Sequence, residues 1–314
     1  MNKTYVLPQK IEERTIAITD VRAVAGDSAF LIDDGETAVL YDTGFSFTCA
    51  AVIENIRQVI GNRPIDYILL THSHYDHALG VPRLTEEYPN VKVVAGAYAA
   101  QVFARASAKA AMCALNGKSA EAQNMKPDAP LTEKLRVDIP VKDGDRLQCG
   151  SFVFTAIDLP GHTRCSVGYY LAERKLLLSV ETLGVYFGKD TYLPSFLVGY
   201  QMTLDAFKRV RQLNVERMLL PHFGVVEREG TLTFLKKAEA SAKEMAQTIE
   251  TLFLCGKTKE EIFTFLAQRD YKEHVRPVYP YEAFCVNTQI MIELVIRGLA
   301  AGAQDGQENK QIGW

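Results

Sequence analysis

The 314-residue chain contains no apolar run approaching the ~20 residues that span a bilayer, which excludes a helical membrane protein. Its opening stretch, Met1-Asn2-Lys3-Thr4-Tyr5-Val6-Leu7-Pro8, lacks the apolar segment of about 7–15 residues that marks a secretory signal, so a cytoplasmic location is expected. Basic charge is not in excess. The 35 Lys and Arg against 38 Asp and Glu leave a net charge of -3, and without a basic field nucleic acid is not an expected partner. Cysteine is sparse: Cys49, Cys113, Cys149, Cys165, Cys255 and Cys285 include no Cys-x-x-Cys pair. They read as reduced, mostly buried small hydrophobes rather than a disulfide scaffold. Histidine is just as scarce, with six residues in all, yet His72, His74 and His77 fall within one short stretch. Random placement does not produce such a cluster.

What is present looks globular, with 47% hydrophobic and 23% charged residues. At roughly 150 residues per domain, the length suits two domains or one large α/β domain with an extension. Ala29–Asp33 and Thr37–Asp42 flank an Asp34-Gly35 turn and read as a hairpin. A helix is expected over 47–60, ended by Gly61. A short buried strand follows at 66–70, then a helix near 78–88, a strand at 91–94 and an alanine-rich helix over 97–113. This alternation is the mark of a layered α/β domain. Residues 116–133, with Asn116, Gly117, Pro127 and Pro130, read as a long polar loop. Strands return at 147–149, 152–159, 166–172, 175–180 and 218–220, with a helix to about 213 that Thr203 could cap. Beyond 230 the pattern is helical over 232–254, 258–267 and 281–300, with a Thr258-x-x-Glu261 capping box. The last dozen residues, Ala303–Trp314, are polar and expected to fray.

His72-Ser73-His74-Tyr75-Asp76-His77 directly follows the buried strand at 66–70. Imidazole nitrogens and carboxylate oxygens are ligands of zinc and related divalent ions, and a dense loop of them can serve two neighbouring metals. Three more residues occupy the same kind of place. His162 follows Leu159-Pro160-Gly161, Glu181 follows Leu178-Ser179-Val180, and His222 follows Leu219-Leu220-Pro221. Five of the six histidines then join one constellation.

In order and spacing, the His72-x-His74-x-Asp76-His77 loop, the Gly161-His162-Thr163 turn, the acid at 181 and His222 resemble the metal motifs of the metallo-β-lactamase-fold hydrolases. Asp42-Thr43-Gly44 resembles a further element of that superfamily, and the resemblance runs over about residues 16–228. It implies an α/β fold, a four-layer αββα sandwich, with a catalytic domain over 1–230 and a C-terminal helical extension over 231–314 that acts as a lid or a dimer interface. It also implies two divalent metal ions, zinc first, with iron or manganese as alternatives. One ion would take His72, His74 and His162, and the other Asp76, His77 and His222, with residue 181 bridging them. The family usually has Asp at the bridge. Glu181 keeps the carboxylate and adds one methylene. Asp42 would lie behind the cluster and orient the ligand loop through a hydrogen bond. His274 falls outside the motifs and reads as a surface or lid residue.

Such an ion pair lowers the pKa of a bridging water and polarises the oxygen under attack, with Asp76 as the catalytic residue that orients the nucleophile. Cys165, three residues from His162, is then not needed as a nucleophile. The expected function is hydrolysis of a small ester, thioester or lactone. The alternatives are a phosphodiesterase of the same fold and a low-turnover, ligand-binding regulatory protein that retains the metal site. A fold of this kind does not choose among substrates. The C-terminal helices are similar in architecture to those of glyoxalase II-like thioesterases and related quorum-sensing effector hydrolases. The expected partner is a small molecule, without nucleic acid or membrane. Two aromatic groups, Tyr186, Phe187, Tyr192, Phe196 and Tyr200, then Tyr279, Tyr281 and Phe284, read either as packing or as an apolar pocket wall with a tyrosine hydroxyl near the oxyanion. In a lid, Tyr281 and Phe284 would face the cleft.

Overall fold

Alternate residues of the hairpin Phe30–Asp33 and Ala38–Tyr41 serve two different cores. Phe30, Ile32, Val39 and Tyr41 enter one apolar cluster, and Leu31, Ala38 and Leu40 enter another. A strand reads this way when both its faces are covered, so the hairpin lies inside a layered structure. A computed structural model describes the backbone of residues 4–7 and 16–311 and the side chains of 16–299.

The first sheet keeps chain order: β1 (Thr4–Leu7), β2 (Ile16–Asp20), β3 (Phe30–Asp33), β4 (Ala38–Tyr41), β5 (Tyr67–Leu69), β6 (Lys92–Gly96) and β7 (Ile139–Val141). Strands β1 to β4 pair antiparallel, and β4 to β7 pair parallel. Parallel neighbours need crossovers, which are supplied by α1 (Cys49–Ile60), α2 (Tyr75–Ala78), α3 (Val81–Glu87), α4 (Ala97–Phe103) and α5 (Ala106–Ala122). Val52, Ile56, Leu84, Ala99 and Met112 seat these helices on the outer face of the sheet.

Next come β8 (Arg146–Cys149), β9 (Phe152–Asp158), β10 (Val167–Leu171) and β11 (Leu176–Leu178), followed by a separate small hairpin of β12 (Val185–Tyr186) and β13 (Tyr192–Leu193). With β14 (Arg217–Leu220) and β15 (Gly224–Glu227), the second sheet has the order β15-β14-β11-β10-β9-β8. Phe30, Tyr41, Phe152, Phe154, Tyr169 and Leu219 fill the space between the sheets. Burial of a large apolar side chain stabilises by roughly 1.5–3 kcal/mol. On the outer face of the second sheet, Phe207 and Val210 of α6 (Tyr200–Gln212) pack beside Phe234 and Leu235 of α7 (Glu229–Leu254). Helix, sheet, sheet, helix: this is the expected αββα sandwich. The rest of α7, α8 (Lys259–Asp270) and α9 (Tyr281–Gln311) share a further cluster around Met245, Ile249, Leu266, Met291 and Ile292. The expected capping box opens α8, with Glu261 N–H donating to Thr258 Oγ1 and Thr258 N–H donating to the Glu261 carboxylate. All six cysteines are unpaired. Among the described residues, no helix is long and apolar enough to cross a membrane.

Several local expectations are corrected. The alanine-rich helix breaks at Ala104–Arg105, where Arg105 turns extended and its guanidinium lies over Tyr98. After the break, α5 runs on to Ala122, through residues that read as loop. It can do so because its polar side chains have partners: Asn116 Oδ1 accepts from Ser46 N–H (3.2 Å), and Ser119 Oγ donates to Tyr75 Oη (3.4 Å). Thr203 does not cap α6. It is buried inside that helix, which starts after Gly199. The helix expected near 78–88 is α3, which begins only after Gly80, where a Cβ would meet the Thr43 carbonyl oxygen at 2.4 Å, and the end of the His-rich loop is itself the short helix α2. Ala303–Gln311, expected to fray, continue α9, and residues 312–314 lie outside the described residues.

Candidate metal centre

All the candidate ligands stand just past the C-terminal ends of strands. Asp42 follows β4, the His72–His77 loop follows β5, His162 follows β9, Glu181 follows β11 and His222 follows β14. The two sheets bring these ends together along one edge of the sandwich. The His-rich loop is gripped from behind, because Thr43 donates both its N–H (2.8 Å) and its O–H (2.7 Å) to the His77 carbonyl. Gly161 has φ +143°, and a Cβ there would lie 2.3 Å from Thr203 Oγ1. Glycine therefore lets the His162 turn press against α6.

The seven candidates form two groups that share one residue: His72, His74, His162 and Glu181, then Asp76, His77, Glu181 and His222. In the first, His162 Nε2 lies 3.2 Å from His72 Nε2, 2.9 Å from His74 Nδ1 and 2.8 Å from Glu181 Oε2. In the second, Glu181 Oε1 lies 2.8 Å from His222 Nε2 and 3.7 Å from His77 Nε2. Asp76 Oδ2 is 3.6 Å from His77 Nε2 and 3.8 Å from His222 Nε2. Glu181 thus turns one oxygen to each group. Its extra methylene does not carry the carboxylate out of the cluster, because the residue opens a short 3-10 turn at Glu181–Leu183 rather than extending the strand.

The outer nitrogens of the imidazoles determine what the inner ones can do. His77 Nδ1 faces Asp42 Oδ2 at 2.7 Å, His162 Nδ1 faces the Ser195 carbonyl at 3.0 Å, and His222 Nδ1 faces the Asp27 carbonyl at 3.1 Å. Carbonyl and carboxylate oxygens only accept, so each Nδ1 carries the proton and each Nε2 turns a lone pair inward. His72 follows the same rule through Thr71, whose hydroxyl donates to Asp42 and accepts from His72 Nδ1 at 2.9 Å. The lone pairs of His72, His162 and His222 therefore converge with the Glu181 carboxylate, and the buried His77 Nε2 has no hydrogen-bond partner at all. A cation resolves that arrangement. Zinc with ligands at about 2.0–2.1 Å would set tetrahedral donors roughly 3.4 Å apart, and the separations here, 2.8–3.8 Å, bracket that figure.

Burial, reinforced by neighbouring imidazoles, holds His72 and His74 well below the ordinary histidine value, in the neutral form that ligates metal. Burial works to lift the Glu181 carboxyl, yet the surrounding imidazoles, His162 foremost, hold it well below the usual carboxylate range. At His77 burial is outweighed by Asp42 and Asp76, which raise its pKa, so a proton competes with a cation for that nitrogen.

A cleft opens over both groups, with His74, Asp76, Glu181 and His222 on its floor. Val185, Phe187, Leu193 and Leu197 line one wall, and Val278, Tyr279, Ala283, Val286 and Ile290 line the other. Of the aromatic residues singled out above, only Phe187 and Tyr279 reach the cleft. Tyr186 stacks on Tyr192, and Phe196 is fully buried against Tyr200. Tyr281 turns outward, 48% exposed, and Phe284 is buried behind Tyr279. The expectation that these last two face the cleft is therefore corrected. His274 lies away from the ligands and bonds Thr191 Oγ1 at 2.8 Å. Cys165 is buried, with its thiol toward Ser73 Oγ.

Sequence reasoning missed the residues that orient the histidines from behind. Asp27 is fully buried. Its side chain accepts from the backbone of Ala23, Val24 and Phe45 and from Thr48 Oγ1, while its carbonyl holds His222. Arg22 donates to the His222 carbonyl and forks onto Asp20 through Nε (2.9 Å) and Nη2 (2.7 Å). Thr71 and Ser195 complete the set. Their only signal in the sequence is adjacency to strand ends, which many unrelated polar residues share.

The metallo-beta-lactamase superfamily profile matches residues 24–222. Among curated proteins, the hydroxyacylglutathione hydrolase of Stenotrophomonas maltophilia (strain R551-3) is 31% identical over 144 residues, 46% of this chain and 41% of that protein. The hydroxyacylglutathione hydrolase of Cereibacter sphaeroides is 28% identical over 171 residues, 54% of this chain and 52% of that protein. The chain thus spans about half or less of the length of these relatives. Among solved structures, a metallo-beta-lactamase family protein from Thermus thermophilus superposes with TM-score 0.57 at 18% identity, covering 95% of this chain and 94% of that one. The profile match takes in Asp42 and every candidate ligand from His72 to His222, on the fold that carries them. The chain belongs to the metallo-beta-lactamase superfamily.

Proposed function

We propose that this protein is a dinuclear, metal-dependent hydrolase of a small ester, thioester or lactone. The observation that carries the reading is the shared carboxylate: Glu181 directs Oε2 to one group of imidazoles and Oε1 to the other, on the floor of a cleft. Two divalent cations held there, zinc by this reading, would acidify water and polarise the carbonyl under attack. His72, His74 and His162 would hold one, and Asp76, His77 and His222 the other. Asp76 is the ligand whose side chain is most open to the cleft among the carboxylates, at 20% exposure against 10% for Glu181. There it orients water and takes up its proton. Water oxygen bonds to the acyl carbon, the bond to the alcohol oxygen or thiol sulfur breaks, and the proton held at Asp76 passes to the leaving group. Residues 231–314 act in this reading as an extension of the 1–230 catalytic unit, closing one wall of the cleft. The hydroxyacylglutathione hydrolases among the relatives support acyl transfer to water as the reaction class.

The test is metal content of protein purified without added metal, followed by a panel of esters, thioesters, lactones and phosphodiesters. The expected result is two equivalents of divalent cation and turnover confined to acyl substrates. Turnover of phosphodiesters alone, or two bound cations without any turnover, rejects the reading.

A further inference from the structure

The two walls of the cleft differ from its floor in chemistry. Above the ligands, Leu115, Val185, Phe187, Leu193 and Leu197 face Ala283, Val286 and Ile290, three residues spaced along α9 on the side that looks into the cleft. Among the described residues, no Lys or Arg lines it, and its charged side chains are the acids and histidines of the floor. On the α9 side the polar exception is a pair, Tyr279 and Asn287. Asn287 Nδ2 donates to Tyr279 Oη at 2.6 Å. Phe187 stacks on the tyrosine ring at 5.9 Å and 13°, and Phe284 meets it edge-on at 5.7 Å and 81°. The Tyr279 carbonyl is held by the Tyr271 hydroxyl at 2.9 Å. The phenol is thus fixed in place, and with Asn287 as donor its own proton is directed elsewhere. Among the described residues, none accepts it. Burial and the carboxylates of Glu181 and Asp76 push the phenol up, so it stays protonated and remains a donor.

We propose that the cleft selects an uncharged acyl substrate, its carbonyl taken by the Tyr279 hydroxyl and its aliphatic chain laid along Ala283, Val286 and Ile290 of α9. This rests on the hydrolase reading above and narrows it. A glutathione thioester carries two carboxylates on its peptide arm, and the described walls offer neither of them a cation. An aliphatic chain, by contrast, gains about 0.8 kcal/mol for each methylene buried, about fourfold in an equilibrium constant.

The experiment uses the metal-loaded full chain and two series of equal chain lengths. One is acetyl to octanoyl aryl esters, read as kcat/KM. The other is the corresponding non-hydrolysable methyl ketones, read as Kd by calorimetry. Both should improve about fourfold per methylene over the first several carbons. A thioester of a neutral thiol should exceed the glutathione thioester of the same acyl group by tenfold or more. Ile290→Asp should flatten both series, and Val286→Lys, at an exposed position, should narrow the gap between the two thioesters. Tyr279→Phe should weaken the ketones by a similar factor at every length, while Asn287→Leu reproduces part of that loss. A flat ketone series in the wild-type protein, or preference for the glutathione thioester, overturns the proposal. If every acyl compound resists hydrolysis while the ketones keep their dependence on length, the hydrolase reading falls and the binding proposal stands.

Discussion

The two halves of the site are built from different materials. The first group is three imidazoles, and its only anion is the Glu181 carboxylate it shares. The second has an acid of its own, Asp76, and two imidazoles. Their supports differ as well. His72 and His162 are steadied by Thr71, next in sequence to His72, and by the Ser195 backbone. His77 rests on the fully buried Asp42 carboxylate, and His222 on backbone at Asp27 and a guanidinium at Arg22. His222 itself sits at φ +61°, a left-handed conformation that costs a non-glycine residue about 1–3 kcal/mol and persists only where neighbours enforce it. The first group is nearly self-sufficient. The second depends on a chain of partners behind it, so it should be the easier half to empty.

The largest effect is expected where the halves meet. Glu181→Gln replaces a carboxylate between two cations by a neutral amide. The first group retains three imidazoles, so it should keep its ion, and the second should lose most of its affinity. Hydrolysis should fall by several kcal/mol of transition-state stabilisation, roughly a thousandfold. Metal stoichiometry after dialysis reads the asymmetry: one equivalent retained supports it, and two retained with normal turnover would show that Glu181 is no ligand. Glu181→Asp should keep two. His74→Ala is the mirror test. It should strip the first ion and abolish hydrolysis with similar severity while the circular dichroism spectrum stays that of the folded protein, since the sandwich cores lie elsewhere. A variant with full metal content and unchanged rate would break the comparison at its root.

The same contrast explains what could be read without a structure. The candidate histidines were legible because histidine is rare in this chain and because the loop at 72–77 fixes a dense local spacing, whereas Asp76 and Glu181, two of 38 acidic residues, were legible only by their place in that order and spacing. Asp42 was legible through the resemblance of Asp42-Thr43-Gly44 to a superfamily element. The short strands were not. Ile139–Val141 is three residues with a proline at its centre, and Gly224–Glu227 begins with a glycine, so neither has a pattern of its own; each is a strand because β6 or β14 offers it a ladder. Asn116 and Ser119 looked like loop residues because their hydrogen-bond partners, Ser46 and Tyr75, lie about 70 and 44 positions away. The cleft wall suffered most. Aromatic residues near the start of α9 drew attention to Tyr281 and Phe284, but which side of a helix faces a cleft depends on the crossing of α9 with its neighbours, and that is not local information.

Asp42 sets the next, smaller effect. It accepts from His77 Nδ1, from Ser28 Oγ at 2.8 Å and from the Thr71 backbone and hydroxyl. Asp42→Asn keeps the shape and removes the charge that makes His77 a strong donor. Affinity of the second group should fall about 10–100-fold, with the first group affected less. Thr71 links Asp42 to His72, so some loss there is expected. Stepwise titration with a chelator separates the two. Equal losses at both steps would mean that Asp42 supports the whole loop rather than one half of the site.

The smallest predicted effect lies at Arg22, which touches no ligand atom. Its guanidinium is held flat by the fork onto Asp20 and by the Phe30 ring, 5.1 Å from its carbon, and from there it donates to the carbonyl of His222. That carbonyl belongs to the residue in the left-handed conformation, so Arg22 and Asp27 clamp His222 from its backbone and from its ring. Lysine at this position would keep the charge but lose the planar fork, and the two are not equivalent in a bidentate site. Arg22→Lys should therefore relax His222 and weaken the second group by less than about tenfold. Stability should fall by about 1–2 kcal/mol, since a half-buried hydrogen bond to a charged group is lost. Chelator titration and thermal unfolding of the metal-free protein measure the two quantities independently. The first group should be untouched, because none of its ligands or supports contacts Arg22 among the described residues. If that group weakens as much as the second, the halves are coupled through the sandwich edge as a whole, and the chain of supports behind His222 does not act on its own half alone.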